Sequence, residues 1–216
     1  EDGIRDDLVT GVQTCALPIL KEVKRIADKH KIIVVEDAAH ALGAKYNDGS
    51  MVGNCKYSDM TGFSFHPVKS IAAGEGGMIT TNSKKLYKKL VKLRSHGINK
   101  LDDKFINTEL AFTNDLKNPW YYEMQELGYN YRITDIQCAL GQSQLKKINK
   151  FIERRLELVN RYDEAFSTLN NIKPIQKKYR ESSSHHLYVV EVDFSKLKIN
   201  RAMLMTELRN EGIITQ

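Results

Sequence analysis

The chain has 216 residues, of which 41% are hydrophobic and 28% charged, with 4 prolines; this is ordinary globular composition and excludes a disordered or collagen-like polymer. No uninterrupted apolar run approaches the roughly 20 residues of a membrane helix, and no basic flank precedes an apolar core at the N-terminus as in a secretory signal. The net charge is +6, and its lysines sit mostly in helical stretches such as KKLYKKLVKLR, which read as a solvated face rather than a nucleic-acid patch.

The first stretch, EDGIRDDLVTGVQTCALPI, has neither helical nor alternating periodicity. Its charge sign is also opposite to the rest, with only Arg5 against Glu1, Asp2, Asp6 and Asp7. It resembles translated sequencing-adapter sequence, so residues 1–19 are set aside as a non-native segment. From Leu20 the pattern sharpens: Leu20, Val23, Ile26 and Ala27 share a helix face. IIVVE at 32–36 is a β-branched run that predicts a strand buried on both faces, and helix followed by buried strand predicts an α/β domain with parallel strands. TGFSF at 61–65 reads as a second strand, GEGG at 74–77 as a turn and MITT at 78–81 as a third strand. Asn82 is the expected cap of the next helix, which Gly97 ends.

Residues 98–129 carry weak periodicity and read as an ordered loop region. Thr134 and Gln137 form a capping-box pattern for one long helix, with Ile136, Leu140, Ile148, Ile152, Val159, Tyr162 and Phe166 along its apolar face. HLYVVEVDF at 186–194 alternates like a half-exposed strand, Asn200 caps a helix ending before Gly212, and GIITQ reads as the start of another strand.

Asp37 ends the strand IIVVED, where ligand crevices of open α/β sheets lie; alone, such an Asp caps a following turn as often as it does chemistry. In SFHPVKSIAAGEGG, Lys69 follows a strand and precedes a glycine-rich turn. A lysine in a partly dry pocket can lose its proton and attack a carbonyl. The small residues Ala72, Ala73, Gly74, Gly76 and Gly77 allow backbone to approach a ligand, and Ser64 could donate to a phosphate. Cys15, Cys55 and Cys138 lie far apart with no C-x-x-C pair, so neither zinc nor a disulfide framework is expected, and the odd count fits a reducing cytosol. His185 and His186 face opposite ways if on a strand, and no metal site is expected there.

Four segments in order, IVVEDAAHALGA, FSFHPVKSIAAGEGGMITTN, RSHG and LGYNYRITDIQCALG, resemble the DegT/StrS family of sugar aminotransferases. The resemblance runs from about Leu20 to the end. It implies an aspartate-aminotransferase-like α/β major domain of the pyridoxal-phosphate (PLP) fold type I, partial here, followed by the start of a smaller α+β domain. The division so implied is 20–133 in the PLP-binding domain, 134–170 as a connecting helix and 171–216 in the incomplete small domain. By the same resemblance Lys69 holds the cofactor as a Schiff base and shuttles the proton, and Asp37 keeps the pyridine nitrogen protonated. His40 contacts the phenolic oxygen, Ser64 the phosphate, and Asn130 reaches the phosphate of a neighbouring subunit, implying a homodimer with shared sites. His66, Arg132 and His186 are the candidate substrate contacts. SHHLYVV, WYYEMQELGYNYR and VGNCKYSDMTGFSFHPVK look closest to the branch serving pseudaminic acid synthesis. The implied reaction moves an amino group from an amino acid, by family expectation L-glutamate, to a UDP-linked 4-keto-6-deoxy sugar, in the cytoplasm and without nucleic acid or membrane. The family's N-terminal phosphate-binding turn and the rest of its small domain are not found in the sequence, so a truncated fragment with no catalytic function of its own is the alternative. A sugar dehydratase of the same fold would carry His in place of Lys69.

Overall fold

The computed structural model describes residues 19–100, 104–175 and 182–215; nearly all of the 1–19 segment, with Cys15, lies outside the described residues. Helix α1 covers 19–30 and is followed by β1 (Val35–Asp37), β2 (Met60–Ser64) and β3 (Gly77–Thr80). β1 runs parallel to β2, with Asp37 opposite Gly62, and β3 returns antiparallel, with Gly77 opposite Ser64. The α/β pattern with a parallel pair is therefore present. The carboxyl ends of β1 and β2 sit side by side, and each leads into a loop bearing a candidate residue.

One tie sets the entry to this sheet. Lys24 Nζ bonds Asp59 at 3.0 and 3.1 Å, and Asp59 accepts the Val34 amide at 2.8 Å. That backbone hydrogen bond, with Lys24, holds the Asp59 carboxyl below its ordinary range. The sheet is not covered as expected. Val34 and Glu36 are buried, but Ile32, Ile33 and Val35 are exposed, as are Met78 and Ile79 on β3. In this chain the strand alternates in burial, because nothing among the described residues covers its second face.

The buried face meets two small clusters, Ala38, Ala44, Tyr46 and Val52 in one, Phe65, Ile71 and Ala73 in the other. These are the loops following β1 and β2. Beneath β1, the Glu36 carboxylate accepts from Tyr46 Oη at 2.7 and 2.8 Å, Thr61 Oγ1 at 2.8 Å and Ser58 Oγ at 3.3 Å. Three hydroxyls thus compensate a group that would otherwise be costly to bury. Burial first, then Glu36, pushes the Tyr46 phenol pKa up, so it stays a donor.

Helix α2 (Lys84–Leu93) is capped by Ser83, whose side chain accepts from the Leu86 amide, not by Asn82; Asn82 instead donates to the Asn54 carbonyl at 2.9 Å. Gly97, at φ +67, turns the chain after α2. Residues 98–124 are more regular than a loop: β4 (Ile98–Asn99) pairs with β7 (Glu123–Met124), and a one-turn helix α3 (Thr108–Ala111) leads into a hairpin of β5 (Phe112–Thr113) and β6 (Leu116–Lys117).

The capping box at Thr134 and Gln137 forms as the sequence requires, but the long helix is two: α4 (Asp135–Leu145) and α5 (Ile148–Phe166). Lys146 closes the first, and Lys147 opens the second with no side-chain cap. Of the expected stripe, Val159 is buried and Ile136 is 84% exposed. Farther on, β8 (Ile172–Pro174) pairs antiparallel with β9 (Val190–Val192), a shorter strand than 186–194. Asn200 caps α6 (Arg201–Asn210) through the Met203 amide, with Gly212 at φ +79 beyond it. Residues 213–215 form no strand.

Candidate active site

At the end of β1, Asp37 is exposed and its Oδ1 accepts the Ala39 amide at 3.0 Å. Its second carboxylate oxygen has no hydrogen bond among the described residues. That short turn aims the chain so that His40 follows, half-buried above the sheet. At the end of β2, Phe65 is buried and the backbone turns at His66, whose carbonyl accepts the Lys69 amide at 2.9 Å. The turn places Lys69 against the first loop, and Lys69 Nζ and His40 Nε2 are hydrogen-bonded.

Two basic nitrogens in contact can share one proton but cannot both be charged. Burial first, and then the Lys69 charge, lower the His40 pKa, opposed by Asp37. The Nδ1 of His40 is buried with no hydrogen-bond partner among the described residues. Behind it stands His186, ring centroids 4.3 Å apart and planes at 51°. Ser184 Oγ fastens this distant segment by donating to the His40 carbonyl at 3.2 Å. Burial, His40, Lys69 and Arg155, in that order, push His186 down to about 4.

Helix α5 closes the site from the other side. A Cβ on Gly43, at φ +85, would lie 2.5 Å from Ile152 Cδ1, so only glycine lets α5 approach the His40 loop. Ile148 also packs on the Phe65, Ile71 and Ala73 cluster beside Lys69. Arg155 lies one turn farther along that face, with Nη1 buried and unpartnered among the described residues. Ser70, next to Lys69, likewise has a buried hydroxyl without a partner among the described residues.

The structure thus gathers Lys69, His40, Asp37 and His186 around one point. It leaves others apart. Ser64 ends β2, half-buried, and its Oγ accepts the His66 amide at 3.4 Å. The His66 ring is exposed, and its Nε2 lies 3.8 Å from Glu75. Asn130 and Arg132 are exposed on a segment that bridges Ser95 by its backbone, with no side-chain hydrogen bond to Lys69, His40 or His186. Among the described residues no cluster of three His, Cys, Asp or Glu could hold a metal, and no helix is long and apolar enough to cross a membrane. The residues that sequence reasoning missed are Arg155, Ser184 and Ser70. Arg155 had a signal: a cation at helical spacing from Ile148, Ile152 and Val159, on an otherwise apolar stripe.

A model of the DegT/DnrJ/EryC1/StrS aminotransferase family matches residues 14–216. The chain belongs to that family. Family relatives include the UDP-4-amino-4,6-dideoxy-N-acetyl-beta-L-altrosamine transaminase of Campylobacter jejuni, 38% identical over 197 residues, 91% of this chain and 47% of that protein. Helicobacter pylori PseC, an aminotransferase involved in the biosynthesis of pseudoaminic acid, has a similar structure. It gives a TM-score of 0.73 at 31% identity, over 91% of this chain and 48% of PseC. A Streptococcus pneumoniae protein described as a sugar aminotransferase, solved in a PLP form, gives 0.67 at 32% identity, over 85% and 43%. The chain therefore spans about half the length of the family members it matches, and its fold is part of the family's α/β aminotransferase fold.

The residues present fit PLP. The Lys69 amine is hydrogen-bonded to His40, Asp37 at the end of β1 has an oxygen not engaged by Ala39, and buried polar atoms on Ser70 and His40 lack partners among the described residues. A polar, aldehyde-bearing ring is the kind of ligand that such a set accommodates.

Proposed function

We propose that the chain belongs to a PLP-dependent nucleotide-sugar aminotransferase that transfers an amino group from an amino acid, L-glutamate by family expectation, to the keto group of a UDP-linked 4-keto-6-deoxy sugar. The observation that carries the reading is the hydrogen bond between Lys69 Nζ and His40 Nε2 at the carboxyl ends of the parallel pair β1 and β2. The names of the Campylobacter and Helicobacter relatives supply the sugar.

Bound PLP supplies an electron sink for the carbanion formed at the reacting carbon. Lys69 would hold the cofactor through Nζ and, once released, carry the proton to and from that carbon. His40, held below its ordinary pKa by burial first and then by the Lys69 charge, offers a neutral ring nitrogen to the Lys69 amine and would contact the cofactor's phenolic oxygen. Asp37, tied through one oxygen to Ala39, keeps the other for a protonated ring nitrogen. Ser64 and, from a neighbouring subunit, Asn130 would hold the phosphate, in a homodimer. His66, Arg132 and His186 would meet the substrate. In this reading 20–133 belongs to the PLP-binding domain, α4 and α5 connect it to a smaller domain from 171, and the enzyme works in the cytoplasm.

The rival reading is a chain with no catalytic function of its own. Incubation with PLP, L-glutamate and a UDP-4-keto-6-deoxy sugar separates the two. The aminotransferase reading expects 2-oxoglutarate and a UDP-amino sugar by mass spectrometry, lost in Lys69→Ala. Unchanged turnover in Lys69→Ala would contradict the role given to Lys69, and no product from the wild-type chain would favour the rival.

A further inference from the structure

On α5 the positions facing the site are Ile148, Ile152, Arg155 and Val159, spaced as one helical stripe. The first two pack on the loops carrying His40 and Lys69, and Val159 is 5% exposed. Arg155 is therefore a guanidinium set into an apolar seam. A guanidinium can only donate, and its Nη1 is buried without an acceptor among the described residues. It does not stand alone: His186 and His40 each bury an Nδ1 unpartnered among the described residues, and Lys69 completes a run of four basic groups from four segments. Asp37 opposes the lowering at His40. A buried guanidinium N–H with no acceptor is costly unless an anion completes it, and the neutral imidazoles beside it add polar nitrogens but no countercharge. Arg155 as a residue is only half-buried, so it is not sealed from a solute.

We propose that Arg155 and His186 form an oxyanion-binding subsite beside Lys69, built for the carboxylate of the amino-acid donor. A planar guanidinium matches a carboxylate in fork geometry. An amino acid held there by its carboxylate presents its nitrogen and reacting carbon a bond or two away, toward the lysine. The identity of the ligand rests on the aminotransferase reading; the subsite itself rests on the unpaired donors. A phosphate oxygen has the same chemistry, so the two sources are tested separately.

The experiment uses the full 216-residue chain without cofactor. Its histidine rings are followed by NMR while glutarate, a dicarboxylate with no amine to react, or inorganic phosphate is added. Glutarate is expected to shift the His186 ring saturably, and Arg155→Met, checked for fold by circular dichroism, to bind it about tenfold or more weaker. Arg155→Lys, which keeps the charge but not the fork, serves if the Met variant does not fold, and is expected to retain only part of the affinity. Saturation by phosphate and not glutarate would overturn the carboxylate assignment. No response to either anion, or equal binding by wild type and a folded Arg155 variant, would overturn the subsite. Trapping PLP on the same chain with borohydride separates the two claims: a Lys69 adduct without anion binding sinks the subsite alone, and anion binding without the adduct sinks the aminotransferase reading alone.

Discussion

The imidazole of His186 packs on that of His40 with ring centroids 4.3 Å apart, joining a segment near the end of the chain to the loop after its first strand. The contact converts two separated motifs into one site. Its consequences are electrostatic: each ring is shielded from water, each faces other basic groups, and both pKa values fall.

Acid should therefore loosen the chain through these rings. His186 falls from its ordinary 6.5 to about 4 in the folded state. A base with a lowered folded pKa contributes stability that is full above 6.5, its unfolded value, and declines as pH falls toward 4. His40 works in the same direction. Melting at pH 7 and pH 5 should show a loss that is smaller in His186→Gln, by about 1–2 kcal/mol after discounting for solvent at a half-buried ring. An identical loss in the variant would refute this.

The Glu36 network makes a second prediction. Glu36→Ala strands the Tyr46 hydroxyl in a buried position and leaves Ser58 and Thr61 with each other, 3.0 Å apart, in place of the carboxylate. Denaturant titration should show about 2–4 kcal/mol of destabilisation, against about 1 kcal/mol for Tyr46→Phe. Equal and small effects would mean the network contributes little.

A third concerns the seam that presents Asn130. A Cβ on Gly97 would fall 1.7 Å from the Glu126 carbonyl oxygen, and Gly97 sits at φ +67. Gly97→Ala should cost about 2–4 kcal/mol and unseat residues 123–131 from the end of α2. Hydrogen exchange at the His96 and Tyr131 amides, which bond across this seam, should rise in step. Protection unchanged from wild type would contradict it.

The sequence made β1, β2, β3 and the two loops that follow them legible, because β-branched runs and glycines mark strands and turns locally. Lys69, Asp37 and His40 could be picked out because motif spacing carries them. The break at Lys146 and Lys147 was hidden, since no Gly or Pro marks it and the apolar spacing continues across it. The exposure of Ile32, Ile33 and Val35 was hidden for another reason: a β-branched run reports what a strand can bury, not what covers it. Ser184 reaches His40 only through tertiary packing, which no local pattern records. Arg155 was visible as a charge on an apolar stripe, but its meaning depends on the two histidines that the fold brings to it.

Lys69 as the residue that holds the cofactor is the central claim, and trapping tests it most directly. The chain is incubated with PLP, reduced with borohydride and mapped by peptide mass spectrometry. The account predicts a single stoichiometric adduct on Lys69, weakened in Asp37→Ala. Scattered, substoichiometric labelling of surface lysines, with Lys69 no more modified than Lys84 or Lys85, would contradict it.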